Sequence, residues 1–117
     1  MIIGSGVDII EVERVRKAIK KWGDSFLRRV FTDEELSYAK NRRFPYEHLA
    51  ARFAAKEAVL KAFSNQKMDF KDIKILNNGD GKPICELKDK RDNIQILLSI
   101  SHTKDYAVAN AIITKKS

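Results

Sequence analysis

The segment 50–63, AARFAAKEAVLKAF, constrains this chain more than any other. Its apolar residues recur at helical spacing and Pro45 stands just ahead, so the pattern predicts one long helix over about residues 46–64. That helix carries a chemical face. Glu57 and Lys61 are four residues apart and point the same way. Phe53 lies one turn before Glu57 and Leu60 three residues after it, which puts the carboxylate at the edge of the apolar stripe. A carboxylate beside a core is costly unless something holds it. Lys61 could do so, and so could a metal ion. An ordinary i,i+4 ion pair, worth roughly a few tenths of a kcal/mol, is the plain alternative.

Around this helix the pattern is α+β. Residues 2–10 read as a strand in which Gly4 and Gly6 permit close backbone approach. Residues 12–21 read as a helix with Val12, Val15, Ala18 and Ile19 inward, ended by Gly23. Asp24 or Ser25 is placed to cap a short helix, and Thr32 with Glu35 forms a capping box ahead of DEELSYAK. Strands at 73–76 and 84–87 flank the turn NNGDGKP, and strands at 94–101 and 106–113 flank HTKD. No repeat, low-complexity tract or linker interrupts residues 1–117. We therefore expect one compact domain, with a mostly antiparallel sheet packed against the long helix and shorter helices.

A chain of 117 residues suits one core. Hydrophobic content of 44% is too high for disorder, and no apolar run approaches the roughly 18 residues of a membrane span. MIIGSGVD lacks the basic and apolar regions of a signal peptide. The single cysteine, Cys85 in PICEL, reads as a small core residue. These features lead to the expectation of a cytoplasmic protein.

The net charge is +7. Between Glu11 and Phe31, seven basic residues including Arg14, Lys17, Lys20 and Lys21 face only three acids. Such a face suggests an anionic partner: nucleic acid, an acidic protein or a phosphorylated cofactor. A solvated helix face without a partner also fits. Nucleic acid is the weakest of these, since the chain shows no helix-turn-helix pattern, zinc spacing or aromatic-studded strands.

Two further segments carry chemistry. Asp8 interrupts an apolar run that looks like a buried strand, and His102 stands where an apolar run gives way to a polar turn. Asp8 and Glu57 brought together would suit magnesium, which takes a few carboxylates, waters and substrate phosphates. Asp8 also reads as a strand-end carboxylate accepting backbone N–H bonds, and His102 as an ordinary turn residue. GKP also reads as a plain hairpin turn, and no P-loop motif is present.

Taken in order and spacing, GVDIIEVERV, FTDEEL, RFAAKEAVLKAF, GKP and ISHTKDYAVA resemble the holo-acyl-carrier-protein synthases, the small bacterial 4′-phosphopantetheinyl transferases. The resemblance runs from about residue 4 to 113. It implies Asp8 and Glu57 as ligands of Mg²⁺, and Lys61 as a phosphate-binding and catalytic lysine, with Lys56 a weaker candidate. It implies Arg52, Gly81, Lys82, Pro83, Ser101, His102 and Thr103 in the coenzyme A site, while His48 receives no role. The implied reaction moves the 4′-phosphopantetheine arm of coenzyme A to a serine of apo-acyl carrier protein, releases adenosine 3′,5′-bisphosphate and serves fatty acid biosynthesis. Glu57 is then the candidate acceptor of the serine proton. The acidic carrier protein would dock on the first helix, at Arg14 with Lys17, Lys20 and Lys21 extending the patch, and three subunits would share clefts. One departure stands out: where the family often has glycines after KAF, this chain has Ser64, Asn65, Gln66 and Lys67.

Overall fold

The computed structural model describes residues 1–64, 67–89 and 91–116. Asn65 and Gln66, half of the segment that departs from the family, lie outside the described residues. The chain runs β1 (Ile2–Glu11), α1 (Val12–Trp22), α2 (Asp24–Val30), α3 (Asp33–Lys40), α4 (Pro45–Ala62), a 3₁₀ turn (Phe70–Asp72), β2 (Ile73–Asn77), β3 (Pro83–Leu87), β4 (Ile94–His102) and β5 (Tyr106–Lys115). The α+β expectation holds. The strands form two antiparallel sheets, however: β1-β5-β4 and the separate hairpin β2-β3.

Register decides which side chains meet. β1 pairs with β5 from Gly4 opposite Ile113 to Glu11 opposite Tyr106, and β5 pairs with β4 from Ile94–Lys115 to His102–Ala107. Strand alternation sends Gly4, Gly6, Asp8 and Ile10 to one face together with Ala107, Ala109, Ala111 and Ile113. α4 lies on that face and is buried at ten of its eighteen residues, six of them the alanines 50, 51, 54, 55, 58 and 62. Small residues on both sides let helix and sheet approach closely. A Cβ on Gly4 would stand 2.3 Å from the Ala62 carbonyl oxygen, and one on Gly6 2.1 Å from that of Ala58. The close approach expected of these glycines is thus against α4.

Helix ends largely follow the local signals. Thr32 Oγ1 accepts from the Glu35 amide and Glu35 Oε1 from the Thr32 amide, completing the capping box. Gly23 ends α1 at φ 55° and also starts α2, so neither Asp24 nor Ser25 caps it. The abrupt reversal needs a positive φ that only glycine adopts cheaply. α4 begins at Pro45 itself and stops at Ala62, two residues short of expectation, as the Phe63 amide closes onto Val59 and Leu60. Cys85 is half-buried on β3, where burial pushes its thiol up to about 12.

Lys56 is wholly buried. Its Nζ meets Glu35 Oε1 at 2.6 Å and donates to the carbonyls of Val30 (2.7 Å) and Phe70 (3.1 Å). Glu35 Oε2 accepts from the Ile75 amide at 2.7 Å. Lys56 therefore ties α2, α3, α4 and the 3₁₀ turn together and does not reach a phosphate site. The reason is helical: one residue from Glu57, it points about 100° away, into the core.

Candidate active site

Two groups of polar side chains gather around α4. The first stands where β1 crosses the second half of the helix. Alternation turns Asp8 toward α4, and Lys61 Nζ donates to Asp8 Oδ1 and to the Val7 carbonyl, each at 3.0 Å. The ammonium thus bridges to the strand rather than pairing with Glu57. Lys61 is half exposed, so this ion pair adds little stability and leaves the ammonium available to an anion. Burial, and then the Asp8 charge, push the Glu57 carboxyl above its usual range, with Lys61 opposing. Asp8 and Glu57 line a cavity of about 350 Å³ with Ile9, Ile10, Arg14, Val15, Phe26 and Phe53.

The donor set suits a hard divalent cation. Two carboxylates supply oxygens, and the remaining positions are left for water and phosphate, as magnesium prefers. Among the described residues no cluster of three or more His, Cys, Asp and Glu exists.

The second group lies toward the start of α4. Arg52 is buried beneath the Tyr38 ring, its guanidinium carbon 4.1 Å from the ring centroid, and Arg42 stacks on the same ring at 4.1 Å. Its Nη2 donates to Asn77 Oδ1, and Asn77 Nδ2 donates to the Gly81 carbonyl at 2.9 Å. Arg52 Nε is buried without a partner. His102 Nδ1 lies 3.2 Å from Glu47 Oε1, and the His48 ring packs edge-on between Tyr38 (5.7 Å) and His102 (5.2 Å). A connected chain of contacts therefore links the expected residues Arg52, Gly81 and His102 through Asn77, Tyr38 and His48, with Glu47 joined to it at His102. None of the latter four residues was assigned from the sequence. His48 was legible as Arg52's i−4 neighbour on α4. Glu47 was not, because its partner comes from β4.

The other expected residues are placed differently. Ser101 pairs with exposed Val108 and so faces away from α4, on the opposite sheet face from His102. Thr103 Oγ1 accepts from the amides of Asp105 (3.2 Å) and Tyr106 (3.1 Å), closing the β4–β5 turn. In the β2–β3 turn Gly81 sits at φ 81°, Asn78 Oδ1 accepts from the Lys82 amide at 2.9 Å, and Pro83 opens β3. Arg14, Lys17, Lys20 and Lys21 are all exposed on α1, and Arg14 also lines the Asp8–Glu57 cavity. Among the described residues no helix is long and apolar enough to cross a membrane.

Comparison with known proteins agrees with this geometry. The family model of the 4′-phosphopantetheinyl transferase superfamily matches residues 4–111. The holo-[acyl-carrier-protein] synthase of Thermodesulfovibrio yellowstonii is 51% identical over 115 residues, covering 97% of this chain and all of that protein. That of Protochlamydia amoebophila is 45% identical, covering 96% of this chain and 98% of the relative. A crystal structure of holo-(acyl-carrier-protein) synthase from Bacillus anthracis str. Ames, in complex with CoA (3′,5′-ADP), superimposes with TM-score 0.85 at 38% identity, over 100% of this chain and 99% of that one. With Asp8 and Glu57 lining one cavity and Lys61 held on Asp8, and with these matches spanning almost its whole length, the chain belongs to the 4′-phosphopantetheinyl transferase superfamily as an enzyme of the holo-[acyl-carrier-protein] synthase kind.

Proposed function

We propose that this enzyme transfers 4′-phosphopantetheine from coenzyme A to a serine of apo-acyl carrier protein in a Mg²⁺-dependent reaction of cytoplasmic fatty acid synthesis. The observation that carries this is that Asp8 and Glu57 line one cavity while the Lys61 ammonium is held on Asp8. Asp8 and Glu57 would hold the ion, which when bound supplies positive charge to the pyrophosphate. The half-exposed Lys61 ammonium offsets charge on the departing phosphate. Glu57, with its proton affinity raised by burial and by Asp8, is suited to take the serine proton. Arg52, the GKP turn and His102 bind the nucleotide end. The exposed cations of α1 dock the acidic carrier protein close to the cavity, through Arg14.

A trimer completes this reading. On α4, Glu57 is five residues from Arg52 and ten from Glu47, so the second polar group lies about 7.5 to 15 Å from Glu57 along the helix axis. The sheet face away from α4 exposes Ile3 at 52%, Val7 at 57%, Ile9 at 65% and Leu97 at 47%. Large apolar residues exposed on one sheet face favour association with further copies. The first group of one subunit and the second group of the next would then form one cleft.

The test is the intact mass of an apo-acyl carrier protein incubated with the enzyme, coenzyme A and Mg²⁺. One phosphopantetheine arm should be gained, and the gain should vanish on chelation and in Asp8→Ala or Glu57→Ala. A folded enzyme that modifies no carrier protein, or variants that match the wild type, would overturn the reading.

A further inference from the structure

His102 ends a strand, where an imidazole normally turns freely. Here it does not. Glu47 Oε1 stands 3.2 Å from Nδ1, and the His48 ring packs against its ring at 5.2 Å and 66°. The Glu47 side chain is only 17% exposed and that of His102 31%, so water competes weakly for this contact. His48 is itself wedged by Tyr38, whose ring carries the Arg52 and Arg42 guanidiniums. Burial, and then the charges of His102, Arg52 and Arg42, push His48 below its ordinary value, which favours the uncharged form of the ring that packs against His102.

From this geometry we propose that Glu47 is a positioning residue for the cofactor site: its carboxylate accepts from Nδ1–H of His102, fixes the ring's rotamer and, in the uncharged ring, its tautomer, and leaves Nε2 as the nitrogen that donates to a phosphorylated ligand when the ring is protonated. The proposal rests on the reading of His102 as a coenzyme A contact. Its physical basis is that the partner of one imidazole nitrogen decides what the other can do. With Nδ1–H held by the carboxylate, a protonated ring presents Nε2–H as its donor to an anionic ligand. Glu47 supplies this from the first turn of α4, a rigid element, rather than from a loop.

Two measurements on the full-length enzyme test it. In long-range ¹H–¹⁵N spectra, His102 should carry its proton on Nδ1 in the uncharged ring of the wild type. Glu47→Gln, which keeps an acceptor oxygen, should retain that tautomer, and Glu47→Ala should lose it. By calorimetry, Glu47→Ala should weaken coenzyme A binding roughly tenfold, the scale of one hydrogen bond to a charged group. His102→Ala should lose a similar factor, and the double variant should lose no more than His102→Ala alone. The melting temperature of each variant separates these losses from unfolding, and the Glu47→Gln spectrum provides a milder perturbation. Unchanged affinity in His102→Ala would overturn the reading of His102 itself and the proposal with it. Weakened binding in His102→Ala alongside an unchanged Glu47→Ala, or losses that add in the double variant, would overturn the positioning role alone. An unaltered His102 tautomer in Glu47→Ala would do the same.

Discussion

Single residues in this chain divide between those that hold the fold and those that face a ligand, and burial separates them more sharply than residue type. Lys56 and Lys61 lie five residues apart on α4. One is wholly buried on Glu35, and the other is half exposed on Asp8. Removing one partner of the buried pair leaves an uncompensated charge in the core. Glu35→Gln or Lys56→Ala should therefore cost about 3–5 kcal/mol of stability, read from urea denaturation. Lys61→Ala should leave the unfolding midpoint nearly unchanged while abolishing transfer. His48 adds a pH dependence. A base depressed in the folded state contributes stability that is present above its ordinary value of 6.5 and is lost as pH falls through the depressed one. Wild-type stability should therefore decline on acidification below 6.5, and His48→Phe, which keeps the stacked ring, should decline less. Equal slopes in the two proteins would show that His48 does not titrate as its surroundings require.

At the scale of elements, the contact between β1 and α4 sets the first polar group. Gly6 stands against the Ala58 carbonyl, and a Cβ there would also meet the Lys61 side chain at 2.9 Å. Gly6→Ala must push strand and helix apart, at a cost of about 1–3 kcal/mol. The same shift moves Asp8 away from Glu57 and Lys61. The variant should thus lose transfer activity while still folded, with circular dichroism and turnover measured on one sample. Normal turnover in a folded Gly6→Ala protein would mean that this spacing is not critical. The β2–β3 hairpin is attached to the site differently. Its turn is tied by Asn77 between Arg52 and Gly81, so two side chains set its position over α4.

The whole molecule exposes several large apolar residues on one face of its main sheet and spreads its second polar group about 7.5 to 15 Å from Glu57 along α4. A shared cleft between subunits predicts complementation. Asp8→Ala and Arg52→Met should each be inactive alone. Refolded together, they should recover roughly a quarter of wild-type activity, since one site in four joins two intact groups in randomly mixed closed rings. No recovery, with mixed trimers verified by native mass spectrometry, would place each site within a single subunit.

The sequence alone determined the order and kind of the elements, because periodicity, capping and turn chemistry are local. The Thr32–Glu35 capping box, the Gly23 stop, the NNGDGKP hairpin and the expectation that Gly4 and Gly6 admit a close neighbour all rest on residues a few positions apart. The family was legible for the same reason, since its motifs are short runs at fixed spacing. Tertiary structure decided which side chains meet. Lys61 pairs with Asp8 rather than with its helical neighbour Glu57, Lys56 turns inward to Glu35, Ser101 and His102 part to opposite sheet faces, and Glu47 reaches His102 from 55 residues away. Each of these depends on strand register and helix rotation, which long-range packing fixes and which local sequence spacing cannot encode.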